Sequence, residues 1–114
     1  MDASWREDSG VSVIVVNLNG RALLGECLSS IAAQEHAAAQ VILVDNGSTD
    51  DSVDFVHHTF PAVQVIEAGR NLGFAAGCNL GARYAAGEFL AFLNNDGRAD
   101  PGWLRAMVDA ARAD

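Results

Sequence analysis

Apolar and polar positions fall in blocks along the chain. Val11-Ser12-Val13-Ile14-Val15-Val16 is a β-branched run of strand length that follows a polar segment, residues 1–10, ending in Ser9-Gly10. Val41-Ile42-Leu43-Val44 repeats that signature, Val63-Gln64-Val65-Ile66 is a weaker version, and Phe89-Leu90-Ala91-Phe92-Leu93 is a fourth. Runs that are apolar at nearly every position predict strands buried on both faces. Between them the spacing turns helical, with Leu23, Leu24, Leu28 and Ile31 in the first segment and Val53, Val56 and Phe60 in the second. A third helix, predicted over Phe74 to Ala86, carries Gly73, Gly77, Gly81 and Ala85 four apart, a smooth stripe that lets a helix approach a sheet closely. The fourth opens with Asp100-Pro101, an N-cap followed by proline at the first helical position, and runs through Trp103, Leu104, Met107 and Val108.

Four β-α units in succession predict an α/β fold, a parallel sheet of about four strands with right-handed crossovers and helices on both faces. At 114 residues the chain is one domain or part of one, a polar tail over residues 1–10 followed by a single α/β unit over residues 11–114. No apolar run approaches the roughly 20 residues that span a bilayer. Ligands of such sheets bind at the carboxyl ends of the strands, so function is sought where the four strands stop.

Charge narrows the choice. Fifteen acidic against seven basic residues give a net charge of -8, and every basic residue is arginine. A broad nucleic-acid footprint is excluded, because duplex affinity rests on several Lys/Arg side chains replacing counterions. Without lysine there is no Walker A loop and no Schiff-base chemistry. Cys27 and Cys78 form no C-x-x-C pair and show no zinc-ligand spacing with His36, His57 and His58, so both read as buried thiols of a reducing compartment. His57-His58 reads as a solvated helix end. An acidic N-terminus without an apolar core is not a secretory signal, which points to the cytoplasm.

At the strand ends stand four polar clusters. Asn17-Leu18-Asn19-Gly20 alone reads as a turn and helix N-cap. In Asp45-Asn46-Gly47-Ser48-Thr49-Asp50-Asp51, Ser48 and Asp51 have capping-box spacing, which leaves Asp45 at the strand's end unexplained by capping. Asn46-Gly47-Ser48 is a formal glycosylation sequon and reads as a chance match. Gly69-Arg70-Asn71-Leu72-Gly73-Phe74 places an arginine at a helix N-terminus, a setting suited to anions, although no G-x-G-x-x-G is present. Asn94-Asn95-Asp96-Gly97 puts two amides and a carboxylate directly after a strand, hard oxygen ligands suited to Mg²⁺ or Mn²⁺ that also takes phosphate oxygens. With one full charge, such a metal binds weakly until a pyrophosphate supplies further oxygens.

In order, Val13-Ile14-Val15-Val16-Asn17, Val44-Asp45-Asn46-Gly47-Ser48-Thr49-Asp50, Asn71-Leu72-Gly73-Phe74 and Leu93-Asn94-Asn95-Asp96 resemble the family 2 glycosyltransferases, which have a Rossmann-like GT-A fold. The resemblance runs from Val11 to the last helix and is greatest to the bacterial rhamnosyltransferase-type branch. It implies that Asp45 contacts the base or ribose of a nucleotide, with Asn17 and Asn19 lining the same pocket and Arg70 and Asn71 beside base and phosphates. It sets Asn94-Asn95-Asp96 in the place of the D-x-D metal motif, with Asp96 on the cation and Asn94 departing from the usual aspartate. It also implies that the first and fourth strands are neighbours.

The activity implied is inverting transfer of a sugar from a dTDP- or UDP-sugar to a hydroxyl of a glycan or lipid-linked acceptor, in cell-surface polysaccharide or glycolipid synthesis. Peripheral association with the inner face of the cell membrane would accompany it. The general base of the family follows the metal motif and is expected beyond Asp114, so the chain reads as a truncated, donor-binding part that is weakly active or inactive alone. Two rivals stand beside this reading. One is a nucleotide-binding module without turnover. The other is a phospho-acceptor receiver domain, which needs an acidic pair after strand one and a lysine, neither of which is present.

Overall fold

The computed structural model describes residues 10–113, so the expected tail over residues 1–10, apart from Gly10, and Asp114 lie outside the described residues. Four strands, β1 (Val11–Asn17), β2 (Gln40–Asp45), β3 (Gln64–Glu67) and β4 (Phe89–Asn94), alternate with α1 (Arg21–Ala32), α2 (Ser52–Thr59), α3 (Phe74–Arg83) and α4 (Trp103–Ala113). The sheet order is β3-β2-β1-β4, and every pairing is parallel. This is the 3-2-1-4 part of the doubly wound 3-2-1-4-5-6 order, one mononucleotide-binding half and the strand across the switch point. A receiver domain has β1 between β2 and β3. Here β3 pairs with β2 and the second neighbour of β1 is β4, which rules that rival out.

Alternation along the central strands divides the core in two. Val11, Val13, Val15 and Leu43 face Leu24, Leu28 and Ile31 of α1, Val56 of α2, and Leu104 and Val108 of α4. Ile14, Ile42 and Val44 face the other way, against Leu80 and Ala85 on the side of α3. Helices therefore cover both faces, as the block pattern predicts. Burial on both faces holds for β1 and β2 but not for the other strands: β3 has no fully buried residue and β4 buries only Ala91. The reason is position, since both are edge strands of this sheet. Phe92 and Leu90 on β4, 44% and 41% exposed, share the face of Ile14 but lie outside the cover of α3.

The small-residue stripe works as predicted at two positions. A Cβ on Gly81 would stand 2.7 Å from Ile14 Cγ2, and one on Gly77 would stand 3.0 Å from Val16 Cγ1, so glycine sets the closeness of α3 to the sheet. Gly73 differs: no atom would meet its Cβ, and its φ of +85° marks the left-handed entry into α3.

Three element ends differ from the sequence reading. α3 stops at Arg83, short of Ala86, because the Gln40 side chain donates to Tyr84 O at 3.0 Å and accepts from Ala86 N at 2.9 Å. α4 begins at Trp103, two residues after Pro101, because Asp100 Oδ2 accepts from Gly102 N and Asp100 O from Trp103 N, which closes a separate turn first. Ser48 and Asp51 form no capping box. Asp50 does the capping, its Oδ1 accepting from the backbone N–H and hydroxyl of Ser52 and its Oδ2 from Arg21 N at 3.1 Å, so one carboxylate serves the starts of α1 and α2. These bonds, the Ser52 hydroxyl foremost, hold the Asp50 carboxyl below its usual range.

Candidate functional site

Strand order reverses between β1 and β4, so the ligand crevice of this topology lies outside their carboxyl ends. Asn17 ends β1 at that point and is fully buried. Its Nδ2 donates to Asp45 Oδ1 at 3.1 Å and to Ser48 Oγ at 3.3 Å, and its Oδ1 accepts from Asn95 Nδ2 at 3.0 Å. One amide thus ties the ends of β2 and β1 to the turn after β4. Gly20 makes room for this bridge: a Cβ there would stand 2.3 Å from Asn95 Nδ2 and 2.4 Å from Asn17 Oδ1.

Asp45, 3% exposed, accepts from Ser48 Oγ at 2.7 Å and from Ser48 N at 2.9 Å as well as from Asn17. Its second oxygen keeps an acceptor site, since each carboxylate oxygen has two. Asn19 sits in the left-handed region at φ +53° and turns its Oδ1 to Thr49 N at 2.8 Å and Asp50 N at 3.2 Å, while its own N–H donates to Ser48 Oγ. The β1–α1 turn therefore shapes the β2–α2 loop.

The next loop is pressed against the same segment. Gly47, at φ +85°, would place a Cβ 3.1 Å from Arg70 Cα, so this glycine both permits the backbone turn and seats Arg70. The Arg70 side chain is exposed, and Asn71 Oδ1 accepts from Gly73 N at 2.9 Å to shape the entry to α3.

After β4 the chain closes a turn through Gly97 N to Asn94 O at 2.7 Å. The same carbonyl accepts the Cys27 thiol of α1 at 3.5 Å. Burial, and secondarily the Asp96 carboxylate, push that thiol up to about 11. Asn94 and Asp96 are exposed and Asn95 is half-buried. Asp96 makes no hydrogen bond or ion pair among the described residues, and no group of three or more His, Cys, Asp or Glu there could hold a metal alone. An unpaired carboxylate beside amide oxygens fits a Mg²⁺ or Mn²⁺ that takes one or two carboxylates and completes its shell with waters and phosphate oxygens.

The structure brings Asn17, Asp45 and Asn95 into one bonded chain, sets Asn19 and Asn71 to shaping loops, and leaves Arg70, Asn94 and Asp96 open. Two polar residues of this edge were missed. Ser48 is the hub between Asp45, Asn17 and Asn19, hidden by its capping-box spacing. Asn46, 3% exposed, donates to Gly73 O at 3.1 Å and leaves its Oδ1 without a partner. Its position in a run of turn-forming residues carried no signal of burial. That burial closes it to glycan attachment, so the sequon is a chance match. Cys27 is buried as expected, whereas Cys78, on α3, is only half-buried. His57 and His58 are exposed, and His58 Nδ1 lies 2.9 Å from Asp54 O.

Comparison with known proteins places this sheet among Rossmann-like nucleotide-sugar transferases of the GT-A kind. The crystal structure of S. aureus TarS 1-349 superposes with a TM-score of 0.78 at 29% identity, over 90% of this chain and 31% of that one. A mannosyltransferase from Pyrobaculum calidifontis, PcManGT in complex with GDP-Man and Mn²⁺, gives 0.77 at 27% identity over the same share of this chain and of that one. Residues 12–114 match Glycosyl transferase family 2, and the chain belongs to that family. An uncharacterized glycosyltransferase of Haemophilus influenzae is 30% identical over 86% of the chain, and a PGL/p-HBAD biosynthesis glycosyltransferase of Mycobacterium bovis is 35% identical over 75%. The chain spans about a third of the length of these relatives, 31% and 34%. No helix among the described residues is long and apolar enough to cross a membrane.

Proposed function

We propose that this chain binds the nucleotide-sugar donor of an inverting glycosyltransferase, with Asp45 reading the nucleoside and Asp96 taking a divalent cation on the diphosphate. One observation carries the reading. An unpaired carboxylate, Asp96, follows directly on an amide that is bonded through Asn17 to Asp45, so the switch point joins a charged end and a hydrogen-bonding end. The solved relatives support this pairing, since TarS is described in complex with UDP-GlcNAc and PcManGT with GDP-Man and Mn²⁺.

In the transfer, an acceptor hydroxyl attacks the anomeric carbon from the face opposite the diphosphate. The bond from that carbon to the diphosphate oxygen breaks, and the hydroxyl proton passes to a carboxylate base that no residue of this chain is assigned. Asp96 would hold a Mg²⁺ or Mn²⁺, which would supply positive charge to the departing diphosphate. Asp45 accepts a donor of the nucleoside, while Asn17 and Asn19, both occupied with the loop between β2 and α2, act by positioning. Arg70 and Asn71 stand beside the base and phosphates, with the arginine free to bond them. Asn94 adds an exposed amide for the donor. The resemblance to rhamnosyltransferase-type members favours a dTDP- or UDP-sugar and a glycan or lipid-linked acceptor in cell-surface glycan synthesis, with the enzyme in the cytoplasm at the inner face of the membrane.

Calorimetric titration of UDP, dTDP and GDP with Mn²⁺ and then with chelator tests the proposal. Binding of one nucleotide that is at least about tenfold, or 1.4 kcal/mol, tighter with metal is expected. Equal affinity under both conditions refutes the metal role, and no binding of any nucleotide refutes the reading as a whole.

A further inference from the structure

The hydrogen bonds of the Asp45–Asn17–Asn95 chain have a fixed direction. A carboxylate only accepts, so the Asn17 amide must turn its NH₂ toward Asp45, and Ser48 must spend its single hydroxyl proton on Asp45 at 2.7 Å. Both remaining Ser48 acceptor sites are then filled, by Asn19 N at 2.8 Å and by Asn17 Nδ2 at 3.3 Å. Asn17 Oδ1 is left facing outward, and the group that meets it at 3.0 Å has to be a donor, the Asn95 NH₂. The Asn95 carbonyl oxygen is thereby excluded from the chain. It has no hydrogen-bond partner among the described residues, and it is not shut away from solvent. Asp45 thus decides which end of the Asn95 amide is tied down, across the full width of β1.

From this we infer that Asn95 Oδ1 is a second oxygen ligand for the cation, beside the carboxylate of Asp96, and that the buried chain exists in part to keep that oxygen from exchanging with its NH₂. The inference rests on the assignment of the cation to Asp96 and adds a ligand to it. An amide free to flip would offer a cation its NH₂ half of the time, which repels the charge. The fixed direction also fits Asn94 in place of an aspartate, because a neutral oxygen from the next residue partly restores the oxygen donors of the turn.

The test is a Mn²⁺ titration of the UDP-saturated chain followed by electron paramagnetic resonance of the free ion, with Asn95→Ala, Asn95→Asp, Asn17→Leu and Asp96→Ala. Loss of a group that only supports a metal ligand typically costs 10- to 100-fold in affinity, so Asn95→Ala, which removes a direct oxygen ligand, should weaken Mn²⁺ by at least about tenfold. Asn95→Asp should bind as well as the parent or better, since it regains the oxygen although it cannot donate to Asn17. If Asn95 only braces the turn, Asn17→Leu, which removes the same bond without a change of charge and keeps the Asn95 oxygen, weakens Mn²⁺ as much as Asn95→Ala does, which overturns the inference. Mn²⁺ affinity unchanged in Asn95→Ala overturns it too, as does an equal loss of UDP affinity with chelator present, which assigns the oxygen to the nucleotide. Mn²⁺ binding that survives Asp96→Ala is a separate result and refutes the underlying assignment.

Discussion

Gly20→Ala is the substitution whose cost can be worked most directly from the structure. The backbone there, at φ -102°, suits any residue, so the cost in the folded state is steric. The new methyl would lie 2.3 Å from Asn95 Nδ2 and 2.4 Å from Asn17 Oδ1, between the two atoms of one hydrogen bond, and contacts under 3.0 Å force movement. Asn95, at the end of a turn, gives way more readily than buried Asn17. Its departure leaves Asn17 Oδ1 without a donor, a loss of about 1–3 kcal/mol for a buried acceptor. Against this, alanine gains about 0.4–1 kcal/mol by restricting the unfolded chain. With the middle of each range, the net expectation is a destabilisation of about 1.3 kcal/mol. Urea unfolding followed by tryptophan fluorescence measures it, with Gly25→Ala as the control. At Gly25, inside α1, the nearest atom would be Phe55 Cζ at an ordinary 3.7 Å, so alanine should stabilise there, by about 0.5–1 kcal/mol. A neutral or stabilising Gly20→Ala, or two substitutions of the same sign, would refute the bridge.

Three further outcomes are expected. Asp45→Asn should weaken UDP by roughly tenfold, the loss of a charged hydrogen bond, while the Mn²⁺ enhancement survives because the new amide oxygen can still accept from Asn17; titration with and without metal reads both. Asp50 has a carboxyl held lower in the folded chain than in the unfolded one. Its contribution is therefore complete above the unfolded pKa of about 4 and is lost as pH falls through the lower folded value, so Asp50→Asn should flatten the fall in stability below about pH 4. The 114-residue chain should transfer sugar far more slowly than its full-length relatives, since a positioned base contributes about 10²–10⁴ in rate, and a radiolabelled donor assay beside one such relative measures the gap.

Much of this fold is legible because β1 and β2 are buried on both sides and so are apolar at nearly every position, a pattern that survives without knowledge of neighbours. The edge strands mislead for the same reason. Phe89 to Leu93 reads like a central strand, although only Ala91 is fully covered. Helix ends are legible where the cap is local and lost where it comes from afar, as with Gln40 on β2 ending α3. The site divides along similar lines. Asp45 and Asp96 stand out as charge at a strand end, although Asp45 also serves its own loop by accepting from Ser48. The work of Asn17 and Ser48 depends on partners 28 and 31 residues away, which spacing along the chain cannot show. Ser48 and Asp51 mimic a capping box that Asp50 pre-empts by reaching two helix starts at once.

The central claim, that the cation sits at the β4 turn, is tested most directly by nuclear magnetic resonance of the UDP-bound chain with substoichiometric Mn²⁺. Paramagnetic broadening falls steeply with distance from the ion, so the amides lost first mark its place. Asn95, Asp96 and Gly97 should vanish first, Leu18 and Asn19 next, and Val53 to Val56 of α2 last. Broadening centred on Asp50, Asp51 and Asp54, with the Asn94 to Gly97 amides intact, would contradict the account and move the cation to the acidic start of α2.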